Sequence, residues 1–125
     1  MKLAAIILAA GFSSRMGDLK PLMDLGGQSL LGHCAALFRQ ANVETIAVVT
    51  GHRHLEVEAL ARRLNLLCIH NPDHARGMYS SIRVAVQGLP TVDGFFLLPV
   101  DVPLCRPEAV AALAAAFNGR NVVMR

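Results

Sequence analysis

Apolar residues along this chain follow two spacings. Residues 3–8, 45–50, 66–70 and 95–100 are short, nearly unbroken hydrophobic runs, the pattern of strands buried on both faces of a parallel sheet. A fifth run, 121–124, predicts one more strand. Between the runs, apolar positions recur with helical period: Leu30, Cys34, Leu37, Phe38 and Ala41; Val57, Leu60, Ala61 and Leu64; Met78, Ile82, Ala85, Val86 and Leu89; Val110, Leu113, Ala114 and Phe117. Each stripe predicts a helix resting one side on a sheet. Pro107 suits the first turn of the fourth helix, and Gly119 the left-handed residue that ends it. Strand and helix therefore alternate, which predicts an α/β fold: a Rossmann-like open, mostly parallel sheet with helices on both faces, three layers α/β/α, with right-handed crossovers. Ligands of such sheets bind beyond the carboxyl ends of the strands, so the residues after Leu8, Thr50, His70 and Val100 carry the functional question.

Composition narrows the classes. A chain of 125 residues, 54% hydrophobic, can bury one core and reads as one domain without a linker or repeat. Its net charge of +3 favours anions, but the basic residues are scattered, so small phosphorylated ligands fit better than nucleic acid. Cys34, Cys68 and Cys105 form no C-x-x-C pair and suit a reducing compartment. Met1 and Lys2 before apolar residues 3–10 have the outline of a secretory leader. Cleavage there would remove the strand expected at the centre of the sheet. With no apolar run near the ~20 residues that span a bilayer, the expectation is a soluble, cytoplasmic protein without a membrane partner.

The strand ends hold the candidate chemistry. After Leu8, the stretch AAGFSSRMG combines small residues, which let backbone N–H groups approach a ligand, with Ser13, Ser14 and Arg15; Lys20 follows. A phosphate cradle and an ordinary surface loop with solvated cations both fit this composition. It has neither the G-K-[ST] ending of a Walker A loop nor the G-x-G-x-x-G of dinucleotide binders. After Val100, Asp101 closes a run so apolar that a lone carboxylate needs a partner: a hard cation such as Mg²⁺, or the turn beside Pro103. After His70, residues 71–81 place Gly77, Ser80 and Ser81 at the start of a helix, where the hydroxyls meet a ligand or cap the helix N–H groups. Of the five histidines, His52 and His54 are two apart, and His70 and His74 span Pro72, so neither pair shares a helix face as a zinc pair does. They read as solvated loop residues, with the Gly51-His52 turn near the ligand site. No serine or cysteine sits in a nucleophile motif.

Taken together, LAAGFSSRMG followed by Lys20-Pro21-Leu22, VVTGH, NPDHARGMYSSIRVAV and LLPVDVPL resemble, in order and over nearly the whole chain, the MobA-like NTP transferase superfamily, and within it the molybdenum cofactor cytidylyltransferases. The resemblance implies a fold of the nucleotide-diphospho-sugar transferase type over residues 1–125, lacking the C-terminal part of the family fold. It implies that Leu8, Ala9, Ala10, Gly11, Ser13 and Arg15 wrap the nucleotide, with Lys20 near its α-phosphate. Thr50, Gly51, Asn71, Gly77, Met78 and Ser81 would surround base and ribose, and Asp101 would hold Mg²⁺. Arg15, Lys20 and Asp101 would be the catalytic set. The implied reaction moves CMP from CTP onto the phosphate of a molybdopterin-type acceptor and releases pyrophosphate, with a molybdoenzyme maturation protein as the implied partner. The alternatives are GTP as donor, a sugar or alcohol phosphate as acceptor, and a nucleotide-binding module without catalysis.

Overall fold

Seven uncharged residues, Leu3–Ala9, form strand β1, and β1 finds a parallel neighbour on each side. The computed structural model describes residues 2–10, 20–100, 108, 110 and 112. After a 3₁₀ turn at Lys20–Leu22 come β2 (Asp24–Leu25) and β3 (Gln28–Ser29), a hairpin tip turned by Gly26 and Gly27 at φ of +66° and +89°. Then follow α1 (Leu30–Gln40), β4 (Thr45–Thr50), α2 (His54–Arg63), β5 (Leu67–His70), a 3₁₀ turn at His74–Arg76, α3 (Met78–Gly88) and β6 (Gly94–Pro99). The main sheet has the order β5-β4-β1-β6, parallel throughout. This is the expected Rossmann-like α/β fold.

Side chains alternate across the sheet, so each strand serves two cores. Ala5, Ile7 and Ala9 of β1 and Ile46 and Val48 of β4 face α1 and α2, where Leu31, Cys34, Phe38, Val57 and Ala61 meet them. Phe38 and Phe96 centre this layer, their rings tilted and 5.9 Å apart. The opposite face, Ile6, Ala10, Ala47, Val49 and Ile69, packs on α3 through Ala85. Of the fourth predicted helix, Glu108, Val110 and Ala112 are helical, and Val110 is buried in the α1–α2 layer. Pro107, Gly119 and the run 121–124 lie outside the described residues.

Two expectations need correction. The run 66–70 is not buried on both faces: β5 is an edge strand, and Leu67 and His70 are exposed. The stripe on α3 is also rotated, since Met78 and Val86 are 58% and 48% exposed while Ser81 and Ala85 are buried. α1 and α2 end alike. Asn42 and Asn65 take left-handed φ of 62° and 59°, and the N–H groups of Val43 and Leu66 reach back to the carbonyls of Phe38 and Ala61, a closure that turns an apolar residue into the core. Among the described residues no helix is long and apolar enough to cross a membrane.

Candidate functional site

The strands stop on one line. Ala9 pairs with Thr50, Thr50 with His70, and Leu8 with Pro99; beyond the strands, the Val100 N–H donates to the Leu8 carbonyl at 3.1 Å. From β1 the chain steps outward to β4 and β5, then returns past β1 to β6. That reversal of strand order lies between β1 and β6, and open α/β sheets take ligands beyond the carboxyl ends of the strands at such a point. Leu8, Ala9 and Ala10 bring the backbone there; Ala9 and Ala10 are themselves buried. Gly11, Ser13, Arg15 and Asp101 lie outside the described residues, and of Lys20 the structure describes the backbone, which opens the 3₁₀ turn.

Three connecting segments converge at Gly51. A Cβ on this glycine would stand 2.5 Å from Cβ of His74 and 2.6 Å from the carbonyl oxygen of Ala10, both far inside van der Waals contact. The residues after β1, β4 and β5 are therefore packed against one another, and the absent side chain makes room for protein backbone. Thr50, fully buried, ties the same turn in two directions: its carbonyl accepts the Asn71 N–H at 2.7 Å, and its hydroxyl donates to Oε2 of Glu58 at 2.9 Å.

Asn71 organises the segment after β5. It is fully buried, and its Nδ2 donates to the hydroxyls of Ser80 and Ser81, both at 2.9 Å, while its Oδ1 accepts the Asp73 N–H at 3.0 Å. The Ser80 hydroxyl in turn donates to the Gly77 carbonyl at 2.7 Å. So the serines neither cap the helix nor stand free: they hold Asn71, and Asn71 holds the loop. Gly77, at φ of 102° and ψ of −175°, precedes α3 in a conformation open essentially to glycine alone. No side chain caps α3, and Met78 and Tyr79 are exposed at its amino end. That end carries the helix dipole's positive pole at the carboxyl edge of the sheet.

A second cluster was not visible as a group in the sequence. His54, the first residue of α2, Glu58 one turn later and His70, the last residue of β5, each offer one ligand atom, and these atoms lie within 4.8 Å of one another. The rings of His54 and His70 are 4.0 Å apart, centroid to centroid. These two histidines thus lie in α2 and β5 rather than in loops, His54 half-buried and His70 exposed. The spacing of His54 and Glu58, four apart on a helix, was the available signal; pairing histidines with histidines alone missed it. Nearby, burial pushes the Cys68 thiol up and the Glu58 carboxylate pushes it further, against a smaller opposing effect of Arg62. On the exposed side of α2, Arg53 binds Glu56 through two hydrogen bonds of 2.8 and 2.6 Å and holds that carboxyl below its ordinary value. A cleft of about 580 Å³ lies at the other pole, between Lys2, Asn42, Glu44 and Thr91; the strand amino ends there are not where such sheets bind ligands.

The pattern of the MobA-like NTP transferase domain matches residues 5–125. The chain belongs to this family. Two curated relatives show its range. A bifunctional protein GlmU from Corynebacterium aurimucosum is 34% identical over 93% of this chain and 26% of its own length. The molybdenum cofactor cytidylyltransferase of Escherichia coli strain K12 is 36% identical over 78% of this chain and 50% of its own. Among solved structures, a nucleotidyl transferase from Methanothermobacter thermautotroptrophicus superposes with a TM-score of 0.82 over 91% of this chain and 57% of its own, at 24% identity. The MobA-like domain described here thus spans about a quarter to somewhat over half the length of these proteins.

Proposed function

We propose that this domain binds a nucleoside triphosphate at the crevice beyond β1 and β6 and supports transfer of its nucleoside monophosphate, CMP from CTP, to the phosphate of a molybdopterin-type acceptor. The observation that carries the reading is the convergence of Ala10, Gly51 and the Asn71-anchored loop at the carboxyl edge, in a chain of this family. In the proposed reaction an acceptor phosphate oxygen attacks the α-phosphorus, the bond to the β-phosphate oxygen breaks, and pyrophosphate leaves. Such chemistry asks the protein for positioning and for opposing charge rather than for a nucleophile.

Leu8, Ala9, Ala10, Gly11, Ser13 and Arg15 are assigned to the triphosphate, and Lys20 to the α-phosphate. Gly51, Gly77 and Met78 are assigned to base and ribose, with Thr50, Asn71 and Ser81, whose polar groups are engaged within the chain, shaping the pocket. Asp101 is the proposed Mg²⁺ ligand: a carboxylate is the donor Mg²⁺ prefers, and the ion would offset phosphate charge. The 36% identical cytidylyltransferase supports CTP with a molybdopterin-type acceptor. A choline-phosphate cytidylyltransferase from Haemophilus influenzae, 33% identical, supports a second reading, an alcohol phosphate or a sugar phosphate as acceptor.

The test is a calorimetric titration of the chain with CTP, GTP, UTP and ATP in Mg²⁺, followed by pyrophosphate release with each acceptor. Selective CTP binding with release on the pterin supports the proposal. Release only with a sugar phosphate moves the acceptor, and binding without any release leaves a nucleotide-binding module. Arg15→Ala should cost tenfold to a hundredfold in CTP affinity, the equivalent of a charged hydrogen bond of about 1.5–3 kcal/mol.

A further inference from the structure

The nucleotide reading gives no part to His54, Glu58 and His70. We propose that these three residues form a binding site for a borderline divalent transition-metal ion of the Zn²⁺ type, separate from the Mg²⁺ that accompanies a nucleotide. Two imidazoles and one carboxylate suit Zn²⁺ and its neighbours, whereas Mg²⁺ seeks oxygen donors and keeps its waters. The geometry needs little change. Zn²⁺ bonds near 2.0–2.1 Å in a tetrahedral arrangement put ligand atoms about 3.3 Å apart, and here they already lie within 4.8 Å. His70 is exposed at the end of an edge strand, so its ring has room to turn toward the other two groups.

The surroundings are built for a ligand role. Glu58 has a side chain only 13% exposed, and the buried Thr50 hydroxyl fixes its Oε2 at 2.9 Å, the kind of outer hydrogen bond that orients a ligating carboxylate. Its Oε1 faces Arg62 at 3.9 Å, but that side chain is 76% exposed and can swing into water as a cation enters. No described residue hydrogen-bonds the ring nitrogens of His54 or His70. Three protein ligands leave a fourth position, on the solvent side, for water or an incoming donor. An ion there would fasten the first turn of α2 to the end of β5, beside Thr50, which pairs with His70 and holds Glu58 through its hydroxyl.

The experiment titrates the tag-free chain with Zn²⁺ and with Co²⁺ in saturating Mg²⁺ and without nucleotide. The expected result is one ion per chain, a Co²⁺ d–d spectrum without a thiolate charge-transfer band, and a Zn²⁺-dependent rise in Tm. His70→Ala and Glu58→Gln should each weaken Zn²⁺ at least tenfold and remove the rise. His33→Ala, on α1 and away from the cluster, should change neither. As His70 is exposed, His70→Ala should keep the native circular dichroism spectrum, so a lost ion reads as a lost ligand. Zn²⁺ affinity unchanged in folded His70→Ala, a thiolate band pointing to Cys34, Cys68 or Cys105, or no Zn²⁺ uptake by the folded chain would each overturn the proposal. A failed CTP titration would leave this result untouched.

Discussion

Two polar clusters share the carboxyl ends of β4 and β5, and they are satisfied in opposite ways. Around Asn71 every polar function is answered from within the chain: two donors meet two serine hydroxyls, and the carbonyl meets a backbone N–H. Around Glu58, three groups that could each ligate an ion are gathered on one another, with Thr50 holding only one carboxylate oxygen. A buried polar group with all its partners rigidifies its loop. Groups that converge without answering one another have their use outside the chain. The first cluster therefore belongs to architecture and the second to binding, and substitutions can separate the two.

The largest expected effect is at Asn71. Asn71→Ala would remove three hydrogen bonds from a fully buried side chain and leave the Ser81 hydroxyl and Asp73 N–H wanting partners. At ~1–3 kcal/mol for the buried Ser81 hydroxyl left unsatisfied and about 1 kcal/mol for the lost bond to the exposed Asp73, urea unfolding should report a loss of about 2–4 kcal/mol. A loss under about 1 kcal/mol would mean that other contacts hold residues 71–77, and the contrast between the clusters would fail on its first side.

A smaller loss is expected at Gly51, where the obstacle is shape. In Gly51→Ala the new methyl meets the Ala10 carbonyl oxygen and His74 Cβ below 3.0 Å, and neither belongs to a flexible side-chain end. Overpacking of this kind typically costs ~1–3 kcal/mol. Because the strain lands between segments, it should also speed hydrogen exchange at the Asn71 amide, which bonds Thr50 across the same junction. Unchanged exchange together with unchanged stability would show that the three segments are not braced against one another.

How much of this was legible in the sequence follows from the range of each interaction. β4 matches the predicted run 45–50 residue for residue, since an unbroken stretch rich in β-branched residues admits little else. β5 starts one residue later than its run because Leu66 closes α2 through Ala61. α2 begins at His54, before its first apolar residue Val57, since hydrophobic period marks only the buried side of a helix and its first turn is exposed. The hairpin at residues 24–29, two residues per strand, is too short to carry a period at all. Of the candidate site, strand ends alone pointed to the segments after Leu8, Thr50, His70 and Val100, and the family resemblance named Ala10, Thr50, Gly51, Asn71 and Gly77 within them; the structure packs the segments after β1, β4 and β5 together at Gly51. What stayed hidden was the purpose of their side chains: Ser81 as an acceptor for Asn71, and His54 beside His70. Both depend on contacts across the β4-α2-β5 crossover or its successor, where sequence spacing carries no distance.

The smallest and most discriminating change is Thr50→Val, which keeps the shape of a fully buried side chain and deletes the hydroxyl that orients Glu58. Without metal the expected cost is about 1 kcal/mol, because a carboxylate that loses this donor can turn toward solvent and Arg62. With Zn²⁺ present the same variant should bind the ion roughly tenfold more weakly, as loss of an outer-shell partner does, so its stability deficit should widen as Zn²⁺ is added. Asn71→Ala should show no such widening, since the Asn71 side chain hydrogen-bonds Ser80, Ser81 and the Asp73 N–H and none of the three ligands. If Thr50→Val instead loses as much stability in metal-free buffer as Asn71→Ala, and Zn²⁺ changes neither, Glu58 is a second internally satisfied anchor and the two clusters are of one kind.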